Sequence, residues 1–279
     1  MSSCCLYKYQ CLPHLLHHKS STNRKLGCIT TMASHLTTVV LLSVLLFGFT
    51  YAVDFDYFTL VLQWPATACE INSKTCCPYN GCCPGGSPPP GFTIRSLWPD
   101  YNDGTYPECC EGAPYNENAL SSLSDAMTKY WTILNCKMSS SCTQKRPFWA
   151  HQWEKHGTCA TSVVGDQQGY FLTTLQLYLK YNVTDVLIQA KIKPSNSKTY
   201  PSASIISAIE DAFETTPQLT CNDDTVYQVR LCFDKEFKVR ECVGESNKCP
   251  QYVRLPKFAF RNVTTSTEDW LMSTIKSVV

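Results

Sequence analysis

The sequence predicts an α+β fold: a single disulfide-rich domain in which an antiparallel sheet is flanked by several helices. Three observations support this class. Strand-like segments lie near both ends of the region after residue 52, and helix-like segments lie between them. Cysteines are dense, with 18 among 279 residues. No internal repeat or low-complexity tract divides the chain, so one domain is expected.

Four segments are predicted to be strands because they are rich in β-branched and aromatic residues. Asp54–Trp64 (DFDYFTLVLQW) and Phe92–Leu97 come first. Val226–Phe233 alternates in polarity, and Phe237–Cys242 is expected to pair with it. The segment Cys69–Gly91 is rich in Cys, Pro and Gly, which predicts a cross-linked surface loop.

Four other segments carry apolar residues at the spacing of three and four that indicates a helix. A turn-rich stretch, Trp98–Pro114, precedes them. The predicted helices are Asn118–Leu134, Phe148–Gly157, Asp166–Tyr181 and Ala203–Phe213.

Residues 1–52 are predicted to be an N-terminal extension and signal peptide. An apolar run of eleven residues, Val39–Phe49, is followed by Thr50-Tyr51-Ala52, which suits cleavage after Ala52. A membrane anchor is the alternative, but a span needs about 20 residues. Met32 lies at a normal distance from the apolar run and is a possible true start. The domain then covers 53–279, with no membrane segment after cleavage.

The composition after residue 52 indicates an oxidising compartment. Four of the cysteines and four of the 24 Lys and Arg residues lie in 1–52, which leaves fourteen cysteines and 20 cations against 23 acids, net −3. Dense, even cysteines behind a signal predict disulfides in a secreted or vacuolar protein. Asn182 and Asn262 begin N-x-T sequons and are candidate glycosylation sites.

Net negative charge disfavours strong non-specific binding of nucleic acid, so contacts with RNA would be local. We expect a monomer.

The stretch FWAHQWEKHGTC, Phe148–Cys159, is the most specific feature. At about 100° per residue, His151, Gln152, Lys155 and His156 share one face of a helix. This face suits a phosphate site, with a cation for charge and imidazoles for proton transfer. An ordinary polar surface helix is the alternative. The clustering opposes it, because both histidines that follow residue 52 lie on this face.

The chain resembles the ribonuclease T2 family, and is most similar to its plant S-like branch. Two motifs carry the resemblance. The family motif F-T-I-H-G-L-W-P corresponds to FTIRSLWP at Phe92–Pro99, and H-E-W-x-K-H-G-T-C corresponds to HQWEKHGTC at His151–Cys159. Such proteins cleave single-stranded RNA through a 2′,3′-cyclic phosphate and need neither metal nor cofactor.

The resemblance implies a role for each matching residue. His156 would take the proton of the 2′-hydroxyl, Lys155 would stabilise the charged phosphorane, and His151 would hold the phosphate. Contacts with the bases would come from Trp98, Asp100, Tyr106 and Phe148. By the same analogy the disulfides would be Cys69–Cys76, Cys77–Cys136, Cys110–Cys159, Cys221–Cys249 and Cys232–Cys242. Left over are Cys82, Cys83, Cys109 and Cys142, enough for two further bridges.

The chain departs from both motifs. Arg95 stands at the position of the histidine that would donate a proton to the leaving oxygen, and Gln152 stands at that of the glutamate. Arginine binds phosphate well but does not release a proton near neutral pH. We therefore predict that RNA cleavage is lost or very weak, in a protein with a storage or defence role that can hold a phosphate or sulfate anion.

Two alternatives stay open at this point. One is a residually active endoribonuclease in which His156 is the base and water or His151 supplies the acid. The other is a module that binds RNA or a nucleotide without cutting it. A role in self-incompatibility ranks low, because the chain is not basic.

Overall fold

The computed structural model describes residues 54–72, 80–83, 86, 88–135, 142 and 147–258. Within this part of the chain, no helix is both long enough and apolar enough to cross a membrane. Several predicted features lie outside the described residues: the signal peptide, the alternative start at Met32, the sequon at Asn262, and Cys76, Cys77 and Cys136.

The α+β prediction is confirmed, and the sheet has eight strands in the described part of the chain. Its central path runs β2-β1-β5-β4-β7. Most pairs are antiparallel, but β4 with β7 and β5 with β8 are parallel, so the sheet is mixed rather than antiparallel throughout. The strands are β1 (Tyr57–Gln63), β2 (Thr93–Asp100), β3 (Thr199–Pro201), β4 (Gln218–Asn222), β5 (Thr225–Phe233), β6 (Val239–Arg240), β7 (Asn247–Lys248) and β8 (Tyr252–Arg254).

Strand β1 is the centre of the sheet, and all seven of its residues are buried. It pairs antiparallel with β2 on one side and with β5 on the other. Neighbours on both edges and packing on both faces explain why its sequence, YFTLVLQ, is nearly continuous in apolar residues. Strand β2 runs three residues beyond the predicted end at Leu97, so Asp100 lies in the sheet and not in a turn.

The helices pack against this sheet, and three of the four predicted ones are confirmed closely. Those not predicted are short or lie in segments assigned to loops. The α-helices are α1 (Pro65–Asn72), α2 (Ser124–Tyr130), α3 (Phe148–Lys155), α4 (Thr161–Val164), α5 (Gln167–Lys180), α6 (Val183–Gln189) and α7 (Ser202–Phe213).

The prediction of one continuous helix over Asn118–Leu134 is wrong, because two shorter helices of different type occupy this segment. A 3₁₀ helix, Glu117–Leu123, is capped by the Asn116 side chain and leads into α2, which ends at Tyr130. The serine-rich sequence at the junction favours such a break, because serine hydroxyls compete for backbone hydrogen bonds. Trp131, just after α2, is fully buried and donates its indole N–H to the carbonyl of Arg95 at 3.0 Å.

Two tyrosines of α5, one buried and one half-buried, fix β2 and the residue before it against the helices. Tyr170 and Tyr178 of α5 donate their hydroxyls to the carbonyls of Leu97 and Phe92, each at 2.8 Å. Large aromatic rings with a satisfied polar tip pack well in a core and also orient their neighbours. Strand β2, which carries the first motif, is therefore held by helix side chains as well as by strand pairing.

The structure confirms the pairs Cys110–Cys159, Cys221–Cys249 and Cys232–Cys242. The pair Cys69–Cys76 is wrong, because Cys69 bonds to Cys82. The physical reason is the loop around Cys82. Gly81 donates to the carbonyl of Ile133 at 2.8 Å, and this contact brings Cys82 to α1 with a Cα–Cα distance of 5.2 Å. Cys109 bonds to Cys142, one of the two extra bridges expected, and Cys83 is also disulfide-bonded.

Candidate functional site

A cavity of about 450 Å³ opens over one face of the sheet beside α3. Phe148 does not line it: this side chain is 4% exposed and packs in the core, so its contact with a base stays a prediction. The cavity brings together the other eight predicted site residues, namely Arg95, Trp98, Asp100, Tyr106, His151, Gln152, Lys155 and His156.

The floor of the cavity is a set of cross-strand rows on β1, β2 and β5. Residues directly opposite one another on neighbouring strands present their side chains to the same face. The rows pair Tyr57 with Asp100, Thr59 with Trp98 and Cys232, and Val61 with Ser96 and Arg230.

A β-bulge brings Arg95 into this site. The pairing of β1 with β2 passes from Val61–Ser96 directly to Leu62–Ile94, which leaves Arg95 as the extra residue on β2. Regular alternation would point Arg95 and Ser96 to opposite faces, but a bulge re-aims the side chain. Both residues line the cavity as a result.

Helix α3 positions the second motif. It begins after Pro147, and its last turn closes where His156 N–H donates to the carbonyl of Gln152 at 3.1 Å. Gly157 must be small, since a Cβ there would lie 2.4 Å from Trp153 Cε3. Trp153 is buried and donates to the carbonyl of Ala113 at 2.7 Å. These contacts set the rotation of α3 and turn its polar face toward the sheet.

Both histidines are buried in the cavity wall, and their ring centroids lie 6.4 Å apart. Burial lowers the pKa of His156 well below its usual value, and the nearby charges of Lys155, His151 and Arg95 lower it further. Burial is also the main reason that the pKa of His151 is lowered, and the charges of Lys155 and Arg95 lower it further. Both rings are therefore neutral at pH 7, and a neutral imidazole is a proton acceptor. Nδ1 of each ring has no hydrogen-bond partner.

Gln152 lies between them and is 3% exposed. Its buried Oε1 has no hydrogen-bond partner, although an unsatisfied buried polar atom costs about 1–3 kcal/mol. The amide fills the position of a carboxylate but carries no charge. The helix side of the cavity, which we define as His151, Gln152, Lys155 and His156, thus has one permanent charge at pH 7, on Lys155.

Lys155 pairs with Glu108 at 3.0 Å. The same segment is fixed at two places: Cys109 N–H donates to the carbonyl of Lys155 at the end of α3, at 3.0 Å, and Cys110 forms a disulfide with Cys159 in the 3₁₀ turn that follows α3. The lysine is therefore held at the cavity mouth by a rigid neighbour. A partly exposed ion pair of this kind contributes only about 0–1 kcal/mol to stability.

The sheet side of the cavity, defined as Arg95, Trp98, Asp100 and Arg230, has a different chemistry. Trp98 lies between His156, at 5.6 Å between ring centroids, and the guanidinium of Arg230, at 5.2 Å from its ring. Burial raises the pKa of Asp100 to about 6, although the hydroxyl of Thr59, which donates to its Oδ2, and the charge of Arg230 both oppose the shift.

Arg230 was missed by sequence reasoning. In VYQVRLCF, Gln228 and Arg230 occupy the face opposite Val229 and Leu231, so the alternation already indicated that β5 turns a polar face away from the core. Nothing local indicated what that face meets. Tyr57, Thr59, Gln218 and Val243 also line the cavity without having been predicted.

The described residues include no group of three or more His, Cys, Asp or Glu placed to hold a metal ion. The titratable and charged side chains that line the cavity include two imidazoles, three cationic groups and one carboxyl group.

Comparison with known proteins identifies relatives over the whole domain. Ribonuclease 1 of Arabidopsis thaliana is 39% identical over 213 residues, which cover 74% of this chain and 88% of that protein. Two ribonucleases of Solanum lycopersicum, extracellular ribonuclease LE and intracellular ribonuclease LX, are 37% and 36% identical over 74% of this chain and over 89% and 86% of their own lengths.

Solved structures agree. The RNase-related protein from Calystegia sepium is 45% identical with a TM-score of 0.68, covering 73% of this chain and 98% of that one. Trichomaglin, described as an S-like ribonuclease, is 42% identical with the same TM-score over 74% and 100%. RNase NT, solved in complex with 5′-AMP, is 34% identical with a TM-score of 0.62 over 74% and 100%. The Ribonuclease T2 family model matches residues 55–242, and the chain belongs to the ribonuclease T2 family.

Proposed function

We propose that this protein keeps the ribonuclease T2 cavity as a binding site for phosphate and nucleotides, while its cleavage of single-stranded RNA is lost or very weak. The observation that carries the proposal is Arg95. Its side chain lines the cavity at the position where the family motif has the histidine that would act as general acid. The pKa values of the two cavity histidines, His151 and His156, are lowered.

The proton balance of the reaction explains the loss. A base must take the proton of the 2′-hydroxyl, and an acid must give a proton to the leaving 5′-oxygen. His156, neutral and with a free Nδ1, suits the first task. Arg95 does not suit the second, because a guanidinium holds its proton at neutral pH. His151 is neutral too, so its ring carries no readily released proton.

Gln152 is the second change on the reaction path. A carboxylate there could take up a proton or balance the cations as the phosphorane forms, whereas an amide can only donate and accept hydrogen bonds. Losing a general acid typically lowers a rate by about 10²–10⁴-fold. Because the two groups would act within one catalytic unit, their losses do not simply multiply.

Binding is supported by what the cavity retains. Arg95, Lys155 and Arg230 supply positive charge, and the unpaired buried atoms of His151, Gln152 and His156 are ready to meet a polar ligand. Arginine and lysine are the usual partners of phosphate oxygens. A cavity of about 450 Å³ suits a ligand the size of one nucleotide. A relative was solved with 5′-AMP.

A residually active endoribonuclease is the second candidate, favoured by His156 alone. Its imidazole is neutral and lies 6.4 Å from His151, so in this candidate His156 acts as the base, and the proton comes from water or from the fraction of His151 that is protonated at lower pH. In this case cleavage is slow and depends fully on His156.

We further propose that the protein enters the secretory pathway as a monomer, with a signal peptide and a glycan at Asn182, and serves in storage or defence. The disulfides fit that route, and relatives named extracellular and intracellular leave both the cell exterior and the vacuole as destinations.

The direct test is cleavage of single-stranded RNA by protein expressed from the full sequence in a secretory host. We expect little or no cleavage by the natural protein and a gain of about 10²-fold or more in Arg95→His/Gln152→Glu, because the acid and the charge return together. Arg95→Lys/Gln152→Glu is the matched control and should stay inactive. Cleavage by the natural protein at the rate of an active family member would refute the proposal.

A further inference from the structure

Three cationic side chains converge on the cavity from three separate elements: Arg95 from the bulge of β2, Lys155 from α3 and Arg230 from β5. The pKa of Arg230 is lowered, first by burial and also by the charge of Arg95, so the two guanidinium groups lie close enough to repel. A protein that holds like charges together without a ligand is destabilised by their repulsion. The cluster therefore favours an anion that touches more than one of them.

Arg230 is fixed in orientation rather than free in solvent. Its guanidinium lies over the indole of Trp98 at 5.2 Å, and its Nη2 makes one long hydrogen bond of 3.4 Å to Gln228. Its Nε is buried and has no partner. A planar guanidinium held on an aromatic ring keeps its remaining N–H groups directed at one place, which suits bidentate binding of an oxyanion.

Acidic groups near the cavity do not neutralise the two arginines. Among the described residues, the ion pairs with Arg or Lys are Lys155–Glu108, Lys235–Asp54 and Arg254–Asp224, so neither Arg95 nor Arg230 is in one. Asp100 attracts Arg230 without forming an ion pair with it, and its single carboxylate offsets only one of the two guanidinium charges. The amide of Gln152 adds no negative charge. The remaining negative charge that balances the arginines must come from an incoming ligand.

Phosphate esters differ in how much they can supply. An internal phosphodiester of RNA carries one negative charge and two non-bridging oxygens. A terminal phosphomonoester carries about −1.5 to −2 near pH 7 and offers three such oxygens. Three cations around one cavity match the second ligand in both charge and number of acceptors.

We propose that the cavity selects mononucleotides with a terminal phosphate over the internal phosphodiesters of RNA, and that Arg230 determines this preference. The inference rests on the proposed function, because it concerns the same cavity, and it names the ligand class. A chain extended beyond a terminal phosphate loses up to one charge and one oxygen, so it offers Arg95, Lys155 and Arg230 less charge and fewer acceptors than they have donors for.

The test is isothermal titration at pH 7.5 of the secreted protein with 5′-AMP and with adenylyl-3′,5′-adenosine, which carries a single phosphodiester. Inorganic phosphate and dimethyl phosphate repeat the comparison without a base. We expect 5′-AMP to bind at least about tenfold more tightly than the dinucleotide, the effect of one additional charge-assisted hydrogen bond.

Arg230→Gln should remove that preference: 5′-AMP should weaken about tenfold and the dinucleotide by less than about threefold. Arg230→Lys keeps the charge and should retain part of the preference, and thermal melting of both variants confirms folding. Arg254→Gln is the matched control, an exposed arginine outside the cavity, and should leave both affinities unchanged.

Three results would overturn the inference. Equal affinities for 5′-AMP and the dinucleotide would reject monoester selection while leaving nucleotide binding intact. Parallel losses of both ligands in folded Arg230→Gln would make Arg230 a general cation rather than the selecting residue. No binding of any of the four ligands would reject the proposed binding function as well.

Discussion

The two sides of the cavity differ in what each can do with a proton. On the helix side, His151 and His156 are buried and neutral, so each can accept a proton. On the sheet side, Arg95 and Arg230 keep theirs, and Asp100 titrates near pH 6. The helix side thus keeps the histidine that the family motif has at position 156, whereas the sheet side has Arg95 where the motif has a histidine. The proposed loss of turnover and the proposed anion binding both rest on this one substitution.

The largest expected effect is on the rate of RNA cleavage, which should fall much more for a change on the helix side than for one on the sheet side. In the Arg95→His/Gln152→Glu protein, His156→Ala should lower RNA cleavage by about 10²–10⁴-fold, because the helix side supplies the base. Asp100→Asn in the same background should change kcat by less than about tenfold, since Asp100 is expected to contact the base. Steady-state kinetics on a dinucleotide substrate measure both, and a larger kcat loss from Asp100→Asn would reverse the assignment.

Each side also has its own disulfide. Removing the two disulfides one at a time tests whether each side is anchored separately from the other. Cys110–Cys159 closes a loop of 49 residues behind the helix side, and Cys232–Cys242 closes one of 10 residues beside Thr59 on the sheet side. Loop entropy predicts losses of about 4 and about 3 kcal/mol in the free energy of unfolding.

Denaturant unfolding of the two double Cys→Ala variants measures this difference. The Cys110/Cys159 variant should also bind phosphate more weakly, because that bridge is anchored in the turn that directly follows His156 and so holds the end of the helix side in place. Equal effects of both variants on phosphate affinity would show that the sides are not separately anchored.

Asp100 predicts a pH-dependent stability that comes from the sheet side alone. Its pKa is raised from 3.8 to about 6, so the folded protein disfavours the ionised form, and stability falls as pH rises through this window. Asp100→Asn should therefore raise the free energy of unfolding at pH 7 by up to about 3 kcal/mol, and the gain should vanish below pH 4. Urea unfolding from pH 4 to 8 tests the sign, and a constant difference would contradict it.

The smallest effect concerns Glu108. Glu108→Gln should change the free energy of unfolding by less than about 1 kcal/mol, because the pair with Lys155 is partly exposed. Phosphate affinity should nevertheless rise by about two- to fivefold as Lys155 loses a competing carboxylate. Glu236→Gln, an exposed acid outside the cavity, is the control. Titration with inorganic phosphate decides between these outcomes, and weaker binding would show that Glu108 orients Lys155.

The sequence predicted the helix side better than the sheet side. His151, Gln152, Lys155 and His156 lie within six residues, and helical periodicity alone assigns them to one face. The sheet side is assembled on β1, β2 and β5, and β5 begins more than a hundred residues after β2 ends. Arg230 was missed for this reason. Phe148 packs in the core, and its contact with a base stays a prediction.

By itself, the sequence determined the α+β class, the family and the presence of Arg95 where the family motif has a histidine, because residue identity and local periodicity carry that information. Only the tertiary structure decided the bulge that turns Arg95 and Ser96 to one face, the Cys69–Cys82 bridge, the approach of Arg230 to Trp98 and the pKa of Asp100. Each of these depends on contacts between segments distant in the chain, and burial and charge at such contacts arise only when the strands and helices have packed.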